Sequence, residues 1–109
     1  MEISTRTSND THIVAIAGNL DSATSPEAQK ALDAVLVSAR KVALDFSELE
    51  YISSAGLRVL LGAAKRLRAS GGTLRMFGLN QSVREVFEIS GFSTILPVYP
   101  SEAEAIGAI

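Results

Sequence analysis

Two short apolar runs limit what this chain can fold into. Ile13-Val14-Ala15-Ile16-Ala17 is continuously apolar after His12, and Val42 to Phe46 repeats the pattern. Each is strand-length and too short for a buried helix, and unbroken apolar character fits central strands covered on both faces. Each is followed by a stretch with helical spacing. After the first run, Ser25 and Pro26 mark a helix start with Ser25 as N-cap, and Ala28, Leu32, Val35, Leu36 and Ala39 share one face. After the second, Leu57, Leu60, Leu61, Ala64 and Leu67 make the stripe, and Gly71-Gly72 ends it.

The flanking segments complete an alternating order. Residues 1–7 alternate polar and apolar as an exposed edge strand would, and Ser8-Asn9-Asp10 is a turn signal. Thr73 to Phe77 reads as a further strand. Ser82 and Glu85 have capping-box spacing for a third helix stopping at Gly91, and Ser101 with Glu104 repeats that spacing for a short fourth. Ile95 to Tyr99 reads as the last strand, with Pro97 placing it at an edge. The expected fold is α/β: a mixed, mostly parallel sheet of about five strands with about four helices, and an antiparallel N-terminal hairpin at one edge. At 109 residues the chain is expected to be one domain spanning 1–109.

Composition excludes several functions. There is no cysteine, so disulfides and thiolate chemistry are ruled out, in keeping with a reducing, cytoplasmic setting. The opening MEISTRT has neither a basic flank nor an apolar run, and no stretch approaches the ~18 consecutive apolar residues of a membrane span. A formal net charge of −2 argues against nucleic acid as a partner.

In open α/β sheets, function gathers in loops at the carboxyl ends of the strands. Gly18 to Asp21 and Ser47 to Ser54 are the two loops of interest. If their strands are parallel neighbours, they share a rim and bring Asp21 toward Ser54. Catalysis at this rim lacks the expected parts. The only histidine, His12, stands at the start of a strand and so at the opposite rim; S-S-A-G replaces the G-x-S-x-G elbow; and no Walker A loop or metal-ligand spacing is present. No catalytic residue, metal or cofactor is expected, and an enzyme with Ser54 as nucleophile is the weakest of the alternatives.

Ser53 and Ser54 open the second helix. A serine there satisfies an orphan backbone N–H and needs no other purpose. Only one hydroxyl is needed for that, however. The other can face solvent, where a phosphate would meet free N–H groups and the positive end of the helix dipole. Both readings stand on the residues alone. Arg58 is one turn further on, and suits either a solvated face or an interface. Leu20, in a polar loop, reads as a partner anchor or as a core residue. Lys65, Arg66 and Arg68 read as a solvated face at the negative end of the helix.

The stretch D-F-S-x-L-x-Y-I-S-S-A-G-L-R-V-L-L at 45–61 resembles the signature of STAS domains, in particular bacterial anti-sigma factor antagonists. G-N-L-D at 18–21 resembles the family's G-x-L-D loop, and G-G-T-L-R-M-F-G at 71–78 and V-R-E-V-F-E-I-S-G-F at 83–92 agree in order and spacing. The resemblance implies a phosphoacceptor at the start of the second helix. Alignment on Gly56 and Leu57 places it at Ser54, with Ser53 as the alternative because many members carry aspartate there. It implies a partner that is both anti-sigma factor and serine kinase, bound by the unmodified protein and released on phosphorylation, and a serine phosphatase that restores the cycle. Asp21, Leu20, Ser53, Gly56 and Arg58 are then the expected partner contacts, in a monomer or weak dimer. The alternative within the family is a STAS subunit of another assembly, such as a stress-signalling complex or an ABC-type lipid transporter.

Overall fold

β2, Thr11–Leu20, organises the sheet, because its two halves serve different neighbours. The structure is a computed structural model that describes residues 1–108. β1, Glu2–Ser8, returns antiparallel along β2 through the Asn9-Asp10 turn, with Asn9 at φ 55°. On the other side, Thr11 to Ala15 pair in parallel with β3, Lys41–Asp45. Beyond them the register shifts between Gly18 and Asn19, and Gly18 to Leu20 pair in parallel with β4, Leu49–Ile52. Gly18 takes φ +93°, a conformation that side chains with a Cβ resist, so glycine lets β2 change partner at that point.

β5, Thr73–Phe77, pairs in parallel with β3, and β6, Val98–Tyr99, with the end of β5. The order is β1-β2-β3-β5-β6, with β4 attached to β2. α1 (Ser25–Leu36), α2 (Ser54–Ala69) and α3 (Gln81–Ser90) cover one face, where Val14, Ile16, Leu44 and Met76 meet Leu32, Leu60, Leu67 and Phe87. α4, Glu102–Ala108, covers part of the other through Ala105 against Ile13, Ala43 and Phe77. No helix among the described residues is long and apolar enough to cross a membrane.

The architecture is the expected α/β one, with corrections of detail. The sheet has six strands among the described residues, because β4 lies inside the expected Ser47–Ser54 loop. The expected Ile95–Tyr99 strand shortens to Val98–Tyr99; a 3-10 turn at Phe92–Thr94 and Pro97 take up the chain before it. α1 is entered from Thr24 rather than capped by Ser25, whose hydroxyl is buried and donates to the Asp21 carbonyl at 2.5 Å. α3 is capped by Asn80, not Ser82: the Asn80 side chain accepts from Val83 N–H at 2.8 Å and donates to the Leu49 carbonyl at 3.0 Å. Arg66 is exposed as expected, and on that solvated face it also pairs with Asp33 of α1.

Asn80 thus joins α3 to β4 as well as ending the helix. Asn80→Ala is expected to lower unfolding free energy in urea by about 1–2 kcal/mol, and Ser82→Ala to change it by less than about 0.5 kcal/mol. Equal losses would return the cap to Ser82.

Candidate functional site

The two loops expected to share a rim are joined there directly. Leu20 pairs with Ile52, and the Ser53 N–H donates to the Leu20 carbonyl at 2.9 Å. The chain leaves β4 through Ser53, which has extended backbone angles, and enters α2 at Ser54. The Ser53 hydroxyl accepts from Gly56 N–H at 3.4 Å, and the Ser53 carbonyl accepts from Leu57 N–H at 2.9 Å. Ser53 is therefore the cap. Ser54 is exposed, and among the described residues its hydroxyl has no hydrogen-bond partner. The two serines divide the roles that the sequence left open: one closes the helix and the other faces solvent.

Gly56 explains how α2 comes so close to the strand ends. A Cβ at this position would lie 2.7 Å from the Leu20 carbonyl oxygen, 2.8 Å from Leu20 Cγ and 2.9 Å from Ile52 Cγ1. Only glycine allows the first turn of α2 to rest on the β2–β4 seam.

Asp21 organises the other half of the rim. Its Oδ1 accepts from Ala23 N–H at 2.9 Å, from Thr24 N–H at 3.0 Å and from the Thr24 hydroxyl at 3.2 Å. The Thr24 hydroxyl also donates to the Asn19 carbonyl at 2.8 Å. The Thr24 N–H, chiefly, holds the Asp21 carboxyl below its ordinary range, with the Ala23 N–H and the Thr24 hydroxyl adding to it against a partial loss of solvent. Asp21 therefore stays charged through mildly acid conditions.

Ser53, Ser54, Asp21 and Arg58 all belong to this rim, with Arg58 exposed one turn along α2. Leu20 and Gly56 do not offer a contact surface. Leu20 is 0% exposed and Gly56 is buried against it, so their part is to position the helix start; the expectation of Leu20 as a direct anchor gives way to its core role. His12 lies at the start of β2, at the opposite rim from Ser54. Tyr51, three residues before Ser54 and 53% exposed, is a surface aromatic that the sequence reading does not single out. An aromatic beside a polar loop was the available signal. No group of three or more metal-ligating side chains occurs among the described residues.

A mixed sheet with three helices on one face, and an exposed serine opening the second helix beside a G-x-L-D loop, defines a small α/β domain. The chain belongs to the STAS domain family, whose model matches residues 2–105. It is 46% identical over 97 residues to BtrV of Bordetella bronchiseptica, whose name places it among the anti-sigma factor antagonists; the match spans 88% of this chain and 84% of that protein. The fold matches the crystal structure of an anti-sigma factor antagonist from Mycobacterium paratuberculosis with a TM-score of 0.92 and 22% identity, over 99% of this chain and 92% of that one. It also matches the Bacillus cell fate determinant SpoIIAA in its phosphorylated form, with a TM-score of 0.74 and 20% identity, over 98% of each chain. These two likenesses concern the fold.

Two measurements probe the rim. Gly56→Ala is expected to cost about 1–3 kcal/mol of stability, since the added carbon meets backbone as well as side chains; an unchanged urea midpoint would mean that the seam yields freely. Asp21 gives a pH signature. Its folded-state value lies below the unfolded one, so its contribution is whole above the ordinary aspartate range and is lost as pH falls through the lowered value. The difference in melting temperature between wild type and Asp21→Asn should be steady above about pH 5 and narrow as pH falls below it. A constant difference would contradict the carboxylate's role.

Proposed function

We propose that this protein is an anti-sigma factor antagonist whose binding is switched by phosphorylation of Ser54. Unmodified, it binds a cytoplasmic anti-sigma factor that also has serine kinase activity. Phosphorylated, it releases that partner, and a serine phosphatase resets it. The observation that carries the reading is the division of labour at the mouth of α2. Ser53 is committed to the cap, while Ser54 is exposed with its hydroxyl unengaged. The name of BtrV, 46% identical to this chain, supports the antagonist role.

The physics fits a switch that acts at the interface and leaves the fold in place. A phosphate on Ser54 adds about −1.5 to −2 charges at neutral pH. It would sit where the Ser54 and Ala55 N–H groups have no acceptor among the described residues, and where the first turn of α2 carries no acidic side chain. The protein itself therefore tolerates the charge. A partner surface shaped for the neutral hydroxyl does not, and a loss of about 3 kcal/mol weakens binding roughly a hundredfold. The rim is read as a binding surface and not as an active centre, because no base accompanies the serine: His12 is at the far rim.

Incubation with the cognate kinase and ATP, followed by site mapping by mass spectrometry, is expected to place phosphate on Ser54. Ser54→Asp should keep wild-type stability within about 0.5 kcal/mol while binding the partner far more weakly. Phosphate confined to Ser53, or a Ser54→Asp variant that binds normally, would overturn the reading.

A further inference from the structure

At the mouth of α2 the neighbouring charged side chain is Asp21, which follows Leu20 and is brought beside Ser53 by the Ser53 N–H to Leu20 carbonyl bond. Between residues 42 and 64 the chain has a single Lys or Arg, which is Arg58, and between residues 7 and 29 it has none. Other cations are engaged or turned elsewhere. Arg6 pairs with Glu102 of α4, and Arg84 in the first turns of α3 lines a hollow with Ser93, Val98 and Pro100 on the side toward β6. The N-terminal amine acts on Asp21. Arg58 is exposed and takes part in neither ion pair found among the described residues.

Helix geometry gives this lone arginine a direction. Residues four apart share a face, so Arg58 and Ser54 are stacked on one side of α2. Helical side chains lean toward the N-terminus, so the patch that Arg58 covers lies over the turn before it, which begins at Ser54. A guanidinium there matches phosphate oxygens in charge and in its forked donor geometry. Ser53, five residues back, falls off this face.

We propose that Arg58 clamps a phosphate carried on Ser54, so that modification both adds charge to the rim and withdraws the arginine that the unmodified rim presents to an acidic group on its partner. This rests on Ser54 being the modified residue. The clamp makes release a double event: the partner meets a new anion and loses a cation it was paired with. It also supplies, from within the chain, a countercharge for a dianion beside Asp21.

The test uses the full chain with phosphoserine installed at position 54 during translation, so no kinase is involved. A kinase that ignores Ser54 would sink the proposed function and leave this result intact. Phosphate titration by ³¹P NMR is the readout. An exposed phosphoserine loses its second proton near pH 6. With Arg58 present the midpoint is expected about half a unit lower than in Arg58→Gln, the size of shift that one exposed ion pair supports. Arg58→Glu should move it above the Arg58→Gln value. The Arg58 Nε–H signal should shift on phosphorylation at Ser54, and stay in place when phosphoserine is installed at position 53 instead. Coincident midpoints in wild type, Arg58→Gln and Arg58→Glu, or an Arg58 signal indifferent to the phosphate, would overturn the clamp.

Discussion

The rim depends on one hydrogen-bonded seam, the parallel pairing of the second half of β2 with β4 that ends in Ser53 N–H donating to the Leu20 carbonyl. Everything functional is measured from it. β2 reaches that far because Gly18 lets it shift register and exchange β3 for β4. α2 starts where it does because Gly56 has no Cβ to hold the helix off Leu20 and Ile52. With the backbone pinned on both sides of Ser53, the next residue is left at the surface, with its hydroxyl outward and two amide N–H groups beside it.

That placement accounts for a site whose scaffold and surface are separable. Ser53, Gly56, Leu20 and Ile52 belong to the scaffold: they are capped, packed or paired, and their contacts are internal. Ser54, Arg58 and Tyr51 belong to the surface and have little to do with holding the fold. Asp21 bridges the two. Its side chain is spent on the turn leading into α1, and its charge faces the rim. Under the proposed function, negative charge added at Ser54 alters what a partner meets without removing anything that the core needs, as a switch that must be reset requires.

The sequence read well where a single period or a single cap decided the structure. The buried runs at 13–17 and 42–46, the core positions Ala28, Leu32, Leu57, Leu60 and Leu67 of the helical stripes, and the stops at Gly71-Gly72 and Gly91 lie where spacing put them. Ala39, in contrast, falls beyond the end of α1, and Val59 and Ala63 are more buried than the expected Leu61 and Ala64. It read poorly where two local signals competed. β4 was hidden because Leu49 and Ile52 are buried while Glu50 and Tyr51 are both exposed, a pattern without the alternation that marks a strand. Its pairing depends on a register shift in β2, which no local window contains. Ser82 looked like a cap, but Asn80 offered an acceptor to Val83 and a donor to β4 at once, and tertiary contact settled the choice. Leu20 read as either an anchor or a core residue because its neighbours are polar, and the seam turns it inward. The candidate site residues Ser53, Ser54, Asp21 and Arg58 were legible as types. Which serine caps and which is free depended on the path of the backbone out of β4.

Under the proposed function, charge at Ser54 is read at the surface while the seam beneath it stays closed. Amide hydrogen exchange, compared between the unmodified protein and protein carrying phosphoserine at position 54, tests this most directly. Unchanged protection is expected at the amides of Ser53 and Leu57, which donate to Leu20 and Ser53, and across β2 and β3, with any differences confined to the exposed first turn of α2 and the 21–24 turn. Loss of protection at Ser53, spreading into the core strands, would show that the phosphate opens the fold and would contradict the claim.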